Sequence, residues 1–264
     1  MRHALLVPLL ALVLALLFIL PVMVLVIQAG APGWRFPQLL PDVGTDALDL
    51  LLQRPEPFLR ALFSSLAYSL ATTAVTLAMT VSPARVLAFG RFKGRNLLEG
   101  LLLLPALVPA MTFAMGLHFM FIKIGLADTA PGVVLVLAMT SYPYMLRALT
   151  TGYGHMGPDY GICARNLGAS AWKVFWKVEA PLLLPAMAAG GSVVFLVAFS
   201  EYFLVYLIGG GTVPSFTGYL FPLVTSSNRG LGAVTTLVFV TVPVVLFVLL
   251  EVGLGTYHRK RRMG

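Results

Sequence analysis

Few side chains in this chain could do chemistry, and none is arranged for catalysis. The four histidines, His3, His118, His155 and His258, are scattered through 264 residues without the H-E-x-x-H type of spacing that builds a metal site. Cys163 is the sole cysteine, so an intrachain disulfide and a cysteine-built metal centre are both excluded. No G-x-S-x-G presents a serine nucleophile. No G-x-x-x-x-G-K-[ST] cradles a nucleotide, since GRFKGR at 90–95 lacks the spacing. Energy from ATP would therefore have to come from another chain, and no cofactor is expected. One acid stands apart. Glu201, next to Tyr202, lies well inside an apolar run, where a carboxylate must face protein or water. Contact with a solute in a polar path, structural pairing and gating are the roles open to it.

The elements that position these residues follow from composition. The chain is 59% hydrophobic and 11% charged, with a mean hydropathy of +0.91. Soluble domains are about 45–50% apolar and roughly 25% charged. One core cannot hide the excess, which excludes a soluble enzyme and a disordered regulator. A helix crossing the bilayer needs about 20 apolar residues. Six stretches qualify, near 4–27, 61–83, 101–122, 131–149, 182–208 and 231–255. The first could be mistaken for a secretory signal ending at Ala29-Gly30-Ala31, but its apolar core exceeds the usual span of about 7–15 residues. It is expected to be a retained helix. Pro105 and Pro109 in the third stretch, Pro143, Pro185 and Pro243 are expected to kink their spans.

The net charge of +8 is spread in clusters between apolar runs, the pattern that orients membrane proteins, and no aromatic-interleaved basic stripe points to nucleic acid. With both termini inside, thirteen basic residues face the cytoplasm, among them Arg85, Arg91, Lys93, Arg95 and Arg259 to Arg262. Only Arg35, Arg54, Arg60, Lys123 and Arg229 face outside, and the 28–60 loop adds Asp42, Asp46, Asp49 and Glu56 there. The expectation is an all-α integral membrane protein, one domain over 1–264, with six spans and both ends cytoplasmic.

About thirty residues, from Thr151 to Pro181, separate the fourth span from the fifth where a short turn would serve. Pro158 and Asp159 make a good helix start. Ala164, Leu167, Ala171, Val174 and Val178 recur at spacings of three and four, and Gly168 interrupts them, so two short helices meeting at a bend are expected. A basic amphipathic segment of this kind could lie on anionic lipid. Alternatively its apolar stripe could fill a groove on a cytoplasmic partner, which the length and the internal glycine favour.

These residues resemble the cytoplasmic loop of permease subunits from binding-protein-dependent ABC importers, the MetI-like permease family. That family's signature is Glu-Ala-Ala, three residues, Gly, nine residues, Ile-x-Leu-Pro. Here Ile162-Cys163-Ala164 fills the first positions, Gly168 the glycine, and Val178-Glu179-Ala180-Pro181 the end. LGAS at 167–170, LLLLPALVPAMTF in the third stretch, YPYMLRAL at 142–149 and FSEYFLVYLIGGG at 199–211 are also similar, so the resemblance covers about 60–264. It departs from the signature where Ile162 replaces glutamate and Ala180 replaces leucine. The resemblance implies that two permeases, identical or related, form a translocation path. It also implies that two cytoplasmic ABC ATPases seat on Ile162, Cys163, Ala164, Arg165, Leu167, Gly168 and Ala169, with Pro181 stiffening the exit. An external solute-binding protein delivers the solute, and Glu201 and Tyr202 are candidates for the path. The 199–211 stretch resembles permeases of the polyamine, thiamine and ferric-ion type more than those for sugars or amino acids. A secondary transporter or channel is the alternative, but it should carry paired intramembrane charges or internal repeats.

Overall fold

The computed structural model describes residues 2–31, 44, 46–226 and 228–263. Arg35 and Asp42 lie outside them, as do the side chains of Arg2, Asp46 and Arg259 to Arg262. Twelve α-helices occur among the described residues, and no strand. Five helices are long and apolar enough to cross a membrane, and a sixth crossing forms if one bent pair counts as a single span. The chain falls into two compact units.

The first unit comprises 1–61 and 218–242. It holds α1 (Arg2–Gly30), α2 (Asp46–Gln53), the start of α3 (Pro55–Phe89), the end of α11 (Phe216–Thr225) and the first half of α12 (Arg229–Met263). Residues 8–22 of α1 are exposed all round, as a helix solvated by lipid should be. Phe58 meets Tyr219 edge-to-face at 6.0 Å, and Asn228 caps α12 by accepting from the Leu231 N–H at 3.2 Å.

The second unit, 62–217 and 243–264, contains the packed core. Here α6 (Ala130–Met156) lies along α9 (Ala180–Ser200), and small residues set their separation. A methyl group on Gly152 would come within 2.5 Å of the Ala186 Cβ, and one on Gly190 within 2.9 Å of the Ala148 Cβ. Two apolar clusters flank this seam. One joins Tyr68 of α3 and Phe121 of α5 (Ala110–Lys123) to Val136, Ala198 and Ile208. The other joins Ala84 and Leu87 of α3 to Met145, Leu149, Tyr153 and Leu183. Ser65, Ser69, Thr72, Thr76 and Thr80 form a fully buried stripe on α3, and Thr76 and Thr80 donate to carbonyls one turn back. Short polar side chains of this kind let membrane helices approach closely.

Two expected spans are broken. The third is two helices, α4 (Arg95–Leu103) and α5, bent by 88° around a tight 3-10 turn at Leu104–Ala106. Pro105 and Pro109 account for this, since each removes a donor and Pro109 itself is extended at φ −54°, ψ 126°. The fifth stops at Ser200 and resumes as α10 (Phe203–Gly209). By contrast Pro143, Pro185 and Pro243 stay inside continuous helices. The fourth span runs on to Met156, seven residues beyond the expected end, and so shortens the 151–181 connector.

Candidate functional site

The connector is a folded element. Gly157, at φ +73°, ends α6, and Pro158 leads into α7 (Asp159–Asn166) with Asp159 in its first turn. At the other end of α7 the Gly168 N–H donates to the Arg165 carbonyl at 2.9 Å and the Ala169 N–H to the Ala164 carbonyl at 3.1 Å. This is a Schellman closure, and it needs a left-handed residue, which Gly168 supplies at φ +79°. Ser170 then caps α8 (Ala171–Val174), accepting from the Lys173 N–H at 3.4 Å. A π-helical turn over Phe175–Glu179 carries the chain into α9, with Pro181 in its first turn. The expected pair of short helices meeting at Gly168 is present.

A methyl group at Gly168 would meet open space, so Gly168→Ala tests backbone strain alone. The left-handed conformation costs an L-residue roughly 1–2 kcal/mol. Amide exchange over 159–169 should therefore rise about five- to thirty-fold in Gly168→Ala, and less in Gly168→Asn. Unchanged exchange in both would show that the bend does not depend on glycine.

The expected apolar stripe does not form one face. Val174 is buried and Val178 and Ala164 are half-buried, packing into the protein itself, while Leu167 is 88% exposed. The Gly168 turn redirects the axis between α7 and α8, so a periodicity counted across it no longer marks a single side. The outward set is Ile162, Cys163 and Arg165 on α7 with Leu167 at its C-cap, joined by Trp172 and Trp176. Ala169 and Pro181 are half-buried. The two tryptophans stack edge-on at 5.5 Å. Against the expectation of no aromatic-interleaved basic stripe, Trp172, Phe175 and Trp176 are interleaved with Lys173 and Lys177, a short pattern that suits an interfacial or contact surface.

A buried acid outside the expected set of site residues lies in the same element. Glu179 is 1% exposed, with Oε1 2.8 Å from Arg85 Nη2. Its Oε2 accepts from the Tyr153 hydroxyl at 3.3 Å. Gly161 of α7 backs onto the same carboxylate; a methyl there would sit 3.3 Å from Oε1.

Glu201 and Tyr202 occupy the break between α9 and α10, both half-buried. The Glu201 carboxylate accepts from the Leu204 N–H at 3.1 Å, and its carbonyl, orphaned by the break, accepts from the Thr217 hydroxyl at 3.1 Å. Tyr202 stacks on Tyr206 at 5.9 Å. Removing the cap in Glu201→Ala should cost about 1 kcal/mol, read as a lower thermal midpoint in detergent. Glu201→Gln retains an acceptor oxygen and most of that stability. A separate open cleft of about 780 Å³ lies between α6, α7 and the start of α9, lined by Arg147, Thr151, His155, Tyr160 and Pro185. Among the described residues no three His, Cys, Asp or Glu side chains converge as a metal site.

Residues 74–262, which include every element of this site, match the family described as the binding-protein-dependent transport system inner membrane component. The chain belongs to that family. It is thus a multi-pass inner-membrane permease component. Among curated relatives, the sulfate transport system permease protein CysT of Escherichia coli is 32% identical over 48% of this chain and 50% of its own length. The molybdenum transport system permease protein ModB of Mycobacterium tuberculosis is 30% identical over 54% and 58%. The chain spans about half the length of these relatives. The trehalose transport system permease protein SugB, also of Mycobacterium tuberculosis, is 26% identical over 75% and 73%. Among solved structures, a bacterial ABC transporter involved in the import of the acidic polysaccharide alginate aligns with TM-score 0.73 and 17% identity, over 95% of this chain and 96% of the other. The methionine ABC transporter MetNI aligns at 0.54 with 14% identity, over 83% and 99%. At these identities the structures establish a shared fold.

Proposed function

We propose that this chain pairs with a second copy or a related permease to form the translocation path of an ATP-driven ABC importer. Two cytoplasmic ATPase subunits seat on α7 and α8, and hydrolysis takes place on them. An external solute-binding protein delivers the solute. Both termini lie in the cytoplasm, which puts the basic connectors, α7 and α8 on the inner side in keeping with the positive-inside rule. The observation that carries this reading is the bent, internally capped α7–α8 element with Ile162 and Leu167 turned outward. A helix lying on lipid gains nothing from a rigid bend.

Glu201 and Tyr202 line the path in this proposal, and the Arg147 cleft is its inner mouth. Two sets of solutes are candidates. The 199–211 stretch favours a polyamine, thiamine or ferric-type solute. The relatives carry sulfate, molybdenum and trehalose by name, and the Arg147 and His155 lining of the cleft suits an anion.

The test is purification of the tagged chain from its native membrane, followed by reconstitution with the ATPase that accompanies it. Uptake of the solute held by the cognate binding protein should require ATP and that ATPase. Uptake by the permease alone, without nucleotide, would instead identify a secondary transporter or channel.

A further inference from the structure

The carboxylate of Glu179 is where three elements meet. Arg85 belongs to the last turns of α3, Tyr153 to the last turn of α6, and Glu179 to the turn that joins α8 to α9. The backbone of α7 rests on the same group at Gly161. Around it lie apolar contacts that would hold these helices together unaided: Leu87, Leu149 and Leu183 are buried in one cluster with Tyr153, and Phe89 meets Tyr153 edge-to-face at 5.6 Å.

Glu179 is buried while the Arg85 side chain is one-third exposed, and a pair so placed adds little net stability, because desolvation of the carboxylate offsets the attraction and apolar side chains of similar volume often serve as well. What it adds is a contact that does not slide. Apolar side chains slip past one another at little cost, whereas drawing Arg85 away would leave the Glu179 carboxylate buried without its counter-charge, which is steeply unfavourable. Two details point to a joint. Oε1 of Glu179 has no well-aligned hydrogen bond among the described residues, only the Arg85 contact, so nothing else fixes that oxygen. The pair also sits at the end of the π-helical turn, where one extra residue per turn gives the backbone local slack.

We propose that the Arg85–Glu179 ion pair, steadied by Tyr153, is the mechanical joint that delivers displacement of the α7–α8 element to α3. Glu179 is then a positioning residue for transport. The proposal rests on ATPase docking at α7 and α8, and it adds a specific path inward from that contact.

The experiment is hydrogen exchange by mass spectrometry on the complex of this chain with its ATPase, with and without ATP and vanadate, so that no solute is needed. In the natural protein, nucleotide trapping should change exchange both over 157–175 and over the end of α3, 84–92. In Glu179→Gln the response over 157–175 should persist while that over 84–92 falls at least three-fold. The triple variant Arg85→Met, Glu179→Met and Tyr153→Phe removes both charges and the hydroxyl that Glu179 accepts from, so no polar group is left buried without a partner, and it decides the matter if the single variant does not fold. It should melt like the natural protein yet lack the α3 response. An α3 response of natural size in either variant overturns the joint. A natural protein whose 157–175 region is indifferent to the ATPase overturns the docking reading, and the joint with it.

Discussion

Replacing Gly190 by valine should leave almost no correctly assembled protein. Gly190 is buried in the α6–α9 seam, where even a single added carbon would lie 2.8 Å from the Met145 Sδ and 2.9 Å from the Ala148 Cβ. The methionine is flexible and can swing aside. The alanine methyl is fixed to the α6 backbone, so the helices themselves must part. Overpacking of this kind costs about 1–3 kcal/mol for a methylene or two, and valine adds three carbons. The seam also cannot open at one point only. Gly152 against Ala186 is the next contact along it, and a methyl at Gly152 would come within 2.5 Å. In a bilayer there is no hydrophobic force to push the helices back together, since lipid solvates a separated helix as well as its partner does. Gly190→Val should therefore be lost as monodisperse protein on size-exclusion chromatography in detergent. Gly190→Ala should be impaired but recoverable, and Ala148→Gly should restore it where Met145→Ala does not. Restoration by the methionine variant instead would mean that the obstacle is the side chain and not the helix spacing.

That seam shows where sequence and structure part company. Period and composition were enough to find the long apolar helices, because a membrane helix satisfies its own backbone and needs no partner to be recognised. Gly168 was equally legible, since a glycine interrupting an amphipathic period is a local signal, and the Schellman closure it makes is a local structure. What escaped was set by tertiary partners. Nothing in Ser200-Glu201-Tyr202 breaks a helix by itself; the break is stabilised by a carboxylate folding forward onto Leu204 and by Thr217 arriving from α11. Glu179 was visible as an acid between Val178 and Ala180, but its partner Arg85 lies on another helix, distant in sequence. An isolated acid in an apolar stretch and an isolated arginine near the end of an apolar helix were the only hints that each needed the other. The stripe through Ala164, Leu167 and Val174 misled for the opposite reason. It extrapolated one helical period through a residue at φ +79°.

The same geometry makes Leu167 the residue on which docking should depend most. At 88% exposure it contributes nothing to the protein's own core, so changing it should leave folding intact. Full burial of a leucine stabilises by about 1.5–3 kcal/mol, at about 0.8 kcal/mol for each buried methylene. Leu167→Ala should weaken ATPase binding about thirty-fold, the equivalent of about 2 kcal/mol. Leu167→Asp should abolish it, because a carboxylate would be driven into an apolar groove without a partner. Arg165→Ala, at the rim, should chiefly slow association and reduce its salt dependence. Titration of the purified chain in nanodiscs with its ATPase reads all three, and unaltered melting shows that the fold is preserved. These variants also separate the two fates open to an amphipathic element under a membrane. If α7 lay on lipid, Leu167→Asp would loosen it from anionic vesicles and leave ATPase affinity as it was. If α7 is a docking strut, affinity falls while the two exposed tryptophans, Trp172 and Trp176, keep their fluorescence in the free protein and lose the change that ATPase binding produces.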